Sequence, residues 1–510
     1  MKRKNISLAV AAAAVLVAAA YPASSWYFGR QIEAAHAEID AKIAALPYLK
    51  LIRHDYERGL FDASETITVE IPAALFRMPP LPAKPARPQA DEAAPETSEP
   101  PQAQQASPAP APALPPLRIT LKTAVRHGPF PDFSAFAAGS ATTVVEFDEA
   151  IQKKVLEAFG GKPAAEIRTL YDFAGGGRST VASPAFRIDL PGPTEGSRAT
   201  LSGDGLEMSV EFTRGMEQYS MHGGAPRFEL AEADGPRLTL TGLGIEGRQQ
   251  RLFPDEPLLY VGSQRFSLAG LDIDPGQDDN GKKPRIALKE LQYDVQVPAS
   301  GEFVDLAARI GAAGVRVGEQ DYGPAAYDFS LKHLHARKLM ALHRDVMALY
   351  AQPETLQDQQ RLMQALAPMK DKFVALLLDG PVLSIDRIAF RLPEGEAKLN
   401  ASVRLVEARA EDFASPPMLI GKLDAAAELA LPTALATTLA LAGGKTDDEE
   451  AAQRRRQGAE QAIDNLVRQG YATVDNGMLK SRLTFKGGRL LVNDKPFNPM
   501  AVAPQPTQEP

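Results

Sequence analysis

Apolar side chains fall on every second position along most of the chain. Ile67, Val69 and Ile71 alternate with Thr66, Thr68 and Glu70. Ile119, Leu121 and Val125 alternate with Arg118, Thr120 and Lys122. The same two-residue period recurs in 186–190, 206–213, 291–297, 399–405, 423–431 and 479–485. Gly487-Gly488 then marks a hairpin turn into 490–492. Strands with one greasy and one wet face belong to antiparallel sheets, because doubly covered parallel strands read as continuous apolar runs. The fold class expected is mainly β with α, in the α+β sense: large, twisted antiparallel sheets with few helices. No fixed repeat period supports a strict solenoid.

A 3.6-residue period marks the helices. Candidates are 147–159, 334–350, 356–378 with a break near Pro368, 432–442 and 449–469. The acidic run 447–450 sits at the start of the last one, where negative charge suits the helix dipole. Gln31–Leu46 is also helical, with Ile32, Ile39 and Leu46 seven residues apart and Pro47 as its stop. That spacing fits either a helix packed on its own domain or a short coiled-coil stem of a homodimer.

The first segment has a different texture. Lys2, Arg3 and Lys4 precede an apolar run from Ile6 to Tyr21, and charge returns only at Arg30. Sixteen helical residues span about 24 Å, short of a ~30 Å hydrocarbon core. Extending the helix through Trp26, Tyr27 and Phe28 reaches about 34 Å and puts aromatic rings at the far interface. Ala18-Ala19-Ala20 would also suit a signal-peptide cleavage site. Length and the aromatic belt favour an anchor, so residues 6–28 are expected to partner the lipid bilayer. The basic end stays in the cytoplasm and the bulk lies outside it.

The expected organisation is therefore a cytoplasmic tip and transmembrane anchor (1–29), an amphipathic stem helix (30–52) and a periplasmic β-rich region (53–431). A helical pair with a C-terminal hairpin (432–500) and a disordered tail (501–510) follow. Within the β-rich region lie a Pro/Ala-rich insert (79–116), with 13 prolines, and a helical segment (333–378). The insert cannot bury a core and joins two strands as extended coil.

Composition narrows the chemistry. Among 510 residues, 56 basic against 64 acidic side chains leave a net charge of −8, so a general nucleic-acid partner is not expected. Cysteine is absent, which removes disulfides, thiol nucleophiles and Cys-ligated metals. Gly242-Leu-Gly-Ile-Glu-Gly247 matches a dinucleotide fingerprint but opens no helix. Gly276-Gln-Asp-Asp-Asn-Gly281-Lys282 lacks the following Ser or Thr of a phosphate loop, and its aspartates would repel phosphate; it is expected to be a hairpin loop. Its acidic spacing is not that of a calcium loop. His335 and His343 lie about 12 Å apart along a helix, too far to share zinc. Gly175-Gly176-Gly177 is a turn. No cofactor, metal or catalytic residue is assigned.

Two short segments carry more information: Tyr56-Glu-Arg58-Gly59-Leu-Phe61 before the first strand, and His127-Gly128-Pro129-Phe130 after the second. His127 could serve as an acid–base group, or it could mark a bend at Gly128-Pro129 with Phe130 tucked into the core. These segments, the basic start and apolar anchor, Ser25-Trp26-Tyr27 with Gly29, Ile32 and Glu33, and Gly488 through Asn493-Asp494-Lys495 together resemble the YdgA-like family of bacterial envelope proteins. The resemblance implies an inner-membrane anchor with a periplasmic bulk and gives no catalytic residues to carry over. The family-like residues Trp26, Tyr27, Tyr56, Arg58, Gly59, Phe61, His127, Gly128, Pro129 and Phe130 are therefore expected to be structural.

The function expected is a non-enzymatic envelope protein: binding, scaffolding or lipid handling, with a lipid or envelope-protein ligand. By analogy with AsmA-like envelope proteins, a long sheet with one apolar face can form a groove for acyl chains. The alternative is a periplasmic hydrolase using carboxylates or His127, which requires an Asp or Glu within hydrogen-bond reach of it.

Overall fold

The computed structural model describes residues 2–497 except 45, 47–48, 73–115, 193–196, 234, 279–280, 283, 351, 353–354, 356–358 and 442–448. Residues 2–19, 39, 277–278, 281–282, 359, 438–441 and 449–452 are described by backbone alone. Most of the expected insert, the start of the helix at Leu356, the residues Asp447 and Asp448, and the tail 501–510 lie outside the described residues.

Helix α1 runs from Lys2 to Ala44 without a break. Anchor and stem are thus one element, and the stem ends before residue 50, where strand β1 (Lys50–Arg58) begins. The expected stem boundary at residue 52 is corrected by this: Leu51 pairs with Val69 in the sheet. Pro22 sits inside the helix. Among the described residues no helix is long and apolar enough to cross a membrane.

The strands follow the two-residue period. After β1 come β2 (Asp62–Ile71), β3 (Leu117–His127), β4 (Gly139–Phe147), β5 (Glu166–Tyr171) and β6 (Gly177–Ser183). Then follow β7 (Phe186–Pro191), β8 (Arg198–Gly203), β9 (Leu206–Phe212), β10 (Gln218–Glu232), β11 (Arg237–Arg251) and β12 (Tyr260–Asp274). Every ladder among the described residues is antiparallel, and all but one small hairpin join into a single 25-stranded sheet. β2 and β3 pair from Asp62–Arg126 to Ile71–Leu117, so the proline-rich segment connects the ends of one hairpin. β1 to β6 pair in sequence, β9 lies beside β6, and β10, β11 and β12 follow. β10 uses one half against β9 and the other against β8, which carries β7. Beyond β12 the meander continues through 286–297, 303–312, 325–335, 382–392, 395–405, 423–432 and 478–486.

The β10, β11 and β12 ladders are 15 residues long, about 50 Å each. The dinucleotide-like glycines lie inside β11. Gly242 takes a positive φ of 63° there and interrupts the register opposite Pro226 and Ala269. The register is the same on either side of it, so the ladder loses one pairing without slipping. The phosphate-loop-like segment forms a two-strand hairpin, Gln277–Asp278 against Gly281–Lys282.

Helices cover the sheet only locally. α2 (Glu149–Ala158) touches β4 and β7. α3 (Ala336–Tyr350) pairs with the helix Gln359–Leu377, which runs through Pro368. Residues 333–335 still belong to a strand. Two buried clusters result. One gathers Ile32, Ala63, Val125, Ala138, Ala141 and Tyr171 beneath α1. The other gathers Leu259, Val304, Leu334, Ala336, Met340 and Leu376 beneath α3.

Candidate functional site

The residues Ser25 to Lys42 of α1 lie along the first hairpins, and this seam collects most of the polar chemistry. Ser25 Oγ donates to the Leu60 carbonyl at 3.1 Å. Gly29 rests on the His127 ring: a Cβ there would fall 2.6 Å from Cε1. Ile32 enters the core over Gly139, where an added Cβ would collide with its Cδ1. Arg58 Nε pairs with Glu33 at 2.9 Å, and Lys42 Nζ donates to the Gly215 carbonyl at 3.0 Å.

One turn further along α1 comes a buried polar cluster. Glu65 stands on the inward face of β2, between Ala63 and Ile67, and is 3 % exposed. Its Oε2 accepts from His36 Nδ1 at 2.6 Å. His36 Nε2 is 2.8 Å from the Tyr171 hydroxyl. Since a carboxylate only accepts, Nδ1 carries the proton and the Tyr171 hydroxyl donates to Nε2. His54 Nε2 lies 3.3 Å from Glu65 Oε1 and 2.9 Å from Asp40 Oδ2. The latter contact is out of line for a hydrogen bond, so neither Asp40 oxygen has a hydrogen-bond partner. Burial pushes the Asp40 carboxyl above its usual range, and the nearby Glu65 charge adds to this. Burial likewise raises the hydroxyls of Tyr171 and Tyr56.

The family-like residues meet on this seam. Tyr56 packs its ring near His36, with centroids 5.9 Å apart. Gly59 turns the β1–β2 hairpin, its N–H donating to the Asp62 carbonyl at 2.8 Å. His127 is buried; its Nδ1 donates to the Leu60 carbonyl at 3.1 Å, and its Nε2 has no partner. Burial lowers its pKa. Gly128 presses on the Ala137 carbonyl, which a side chain would strike. Among the described residues no carboxylate hydrogen-bonds His127, so the hydrolase reading finds no acid–base pair there.

Phe130 is not tucked into the core. It is 44 % exposed and packs on Phe136, because the chain leaves the sheet at His127. Phe61, Phe133, Phe136, Phe173, Trp26 and Tyr27 are exposed too. They form a linked aromatic end: Tyr21 contacts Phe61 and Phe133, and Phe173 contacts Phe28 and Phe136. Arg30 lies 5.2 Å from the Trp26 ring centre, a cation–π contact.

The uncovered part of the sheet shows two contrasting rows. Directly opposed partners run Val181, Met208, Gly223, Ile245, Phe266, Tyr293, Ile310, Tyr327, Ile388, Leu399 and Leu429. This row is apolar throughout and crosses ten strand spacings, about 48 Å. None of its side chains is buried. On the other face run Ser140, Leu170, Arg178, Glu211, Ser220, Arg248, Ser263 and Gln296. With apolar neighbours such as Phe136, Phe212 and Val261 they line a cavity of about 1460 Å³.

The sequence reading named neither the polar cluster nor the apolar row. A glutamate on the inward side of the Ala63/Ile67/Val69 alternation was the available signal for the first, with His36 and Asp40 one helical turn apart. Cross-strand register, absent from a single sequence, is needed for the second. No curated protein and no solved structure matches the chain. A family model matches residues 3–500, and the chain therefore belongs to DUF945, the bacterial proteins of unknown function.

Proposed function

We propose that this is a membrane-tethered, non-enzymatic protein of the bacterial envelope that handles lipids, holding acyl chains along its apolar cross-strand row. The row Val181 to Leu429 carries this reading. Monomeric proteins seldom leave a large contiguous apolar surface open, and this row continues through eleven strands. Its length exceeds the ~30 Å hydrocarbon thickness of a bilayer.

The tethering half of the reading rests on the basic cluster Lys2–Lys4, the apolar run 6–21 and the exposed aromatic end around Tyr21–Phe28. Aromatic rings favour the bilayer interface, and basic residues stay on the cytoplasmic side. These features support an inner-membrane location with a periplasmic bulk and agree with a YdgA-like placement within the family. The homodimer stem gains nothing, since Ile32, His36 and Asp40 turn into the chain's own sheet.

The test is lipid content. Full-length protein purified in detergent should retain phospholipid or fatty acid detectable by mass spectrometry. Phe266→Glu should reduce that content severalfold while circular dichroism stays unchanged. Equal lipid in both proteins, or none in either, contradicts the proposal.

A further inference from the structure

Asp40 from α1, His54 from β1 and Glu65 from β2 turn their donor atoms onto one point, all within 4.8 Å of one another. The spacings have a chemical meaning. Two ligands each about 2.1 Å from one ion lie about 3.0 Å apart at a right angle and about 3.4 Å apart at a tetrahedral angle. His54 Nε2 is 2.9 Å from Asp40 Oδ2 and 3.3 Å from Glu65 Oε1.

A second observation is independent of the spacing. Asp40 is 6 % exposed, and both its carboxylate oxygens lack a hydrogen-bond partner. A buried carboxylate is paired, hydrogen-bonded or bound to a metal, because desolvation without compensation is costly. Here a second buried carboxylate lies close by, and the His54 imidazole hydrogen-bonds Glu65 while its 2.9 Å contact with Asp40 lies off the hydrogen-bond line.

We infer that Asp40, His54 and Glu65 bind a divalent transition-metal ion of the zinc class. Two carboxylates neutralise its charge and one imidazole supplies nitrogen, a donor set that zinc, cobalt, manganese and iron accept. Three donors fall short of the six to eight oxygens calcium takes, and the imidazole does not suit magnesium. His36 orients the ligand: its Nδ1–H fixes Glu65 Oε2, and Tyr171 fixes the ring from the other side. Metal-binding carboxylates and imidazoles are commonly held by such outer partners. The His54 side chain is 31 % exposed, which opens an entry path and a coordination position for water. The ion would fasten α1 to the β1–β2 hairpin.

Full-length protein in detergent, stripped with EDTA, is titrated with Co²⁺ alone. One equivalent should produce the visible d–d absorption of a four- or five-coordinate ion, displaced by Zn²⁺. Asp40→Asn and His54→Gln should each weaken Co²⁺ binding more than tenfold, and His36→Gln by about 10–100-fold as a positioning residue. His222→Gln, on an exposed strand position, should leave it unchanged. A folded wild-type protein that shows no band at one equivalent overturns the inference. So does a band that survives both Asp40→Asn and His54→Gln.

Discussion

Gly29 of α1 lies against the imidazole of His127 so closely that a Cβ would sit 2.6 Å from Cε1 and 2.7 Å from Nδ1. Neither partner can retreat. His127 is fixed by its bond to the Leu60 carbonyl, and Ser25 on the preceding helical turn bonds the same carbonyl. Gly29→Val should therefore lift the helix locally and cost about 1–3 kcal/mol, the usual penalty of overpacking. Thermal unfolding with limited proteolysis around residues 20–44 measures both effects. Unchanged stability and protection would show that the helix does not seat there.

His127 also makes stability depend on pH. Burial lowers its folded pKa below the ordinary value of about 6.5. The folded state then binds fewer protons than the unfolded state, so the contribution is full above pH about 6.5 and is lost as pH falls toward the folded pKa. The midpoint of unfolding should drop on acidification through this window. His127→Gln should flatten the slope, measured as the difference in Tm between pH about 7.5 and 5.5.

Glu65 is the acceptor that satisfies His36 inside the core. Glu65→Ala strands the His36 Nδ1–H and should destabilise the metal-stripped protein by about 3–5 kcal/mol. A double-mutant cycle with His36→Ala should return a coupling of at least ~1 kcal/mol. Additive losses would place the two residues in separate networks.

Trp26 is the chain's single tryptophan, half-exposed on the aromatic end. It reports on membrane contact without competition. In proteoliposomes, phospholipids brominated near the head of the acyl chain should quench its fluorescence more than those brominated near the tail. Phe61→Ser with Phe133→Ser should weaken the quenching. Emission insensitive to either lipid would place this end away from the interface.

The strands were legible because alternation is local: 62–71, 117–127, 286–297 and 395–405 all appear where the apolar period places them. The single helix from Lys2 to Ala44 was legible only as two abutting segments, because an apolar run and an amphipathic one differ in texture on either side of residue 30. Phe130 reads as core by composition. Its exposure depends on where the loop leaves the sheet, which only the register of β3 and β4 fixes. The polar cluster needed three segments brought together over α1, β1 and β2. Only Glu65, a charged residue in phase with the greasy positions 63, 67 and 69, marked it in the sequence.

Lipid contact along the apolar row is tested most directly by a photo-crosslinking amino acid at Phe266, Tyr293 or Tyr327 in full-length protein within native membranes. Phe266 opposes Tyr293, and Ile310 lies between Tyr293 and Tyr327 in the same row. Each should crosslink to lipid on illumination, while Arg265 and Ser267, on the opposite face of the same strand, should not. Equal crosslinking at both faces, or none at the row, would contradict an acyl-binding sheet.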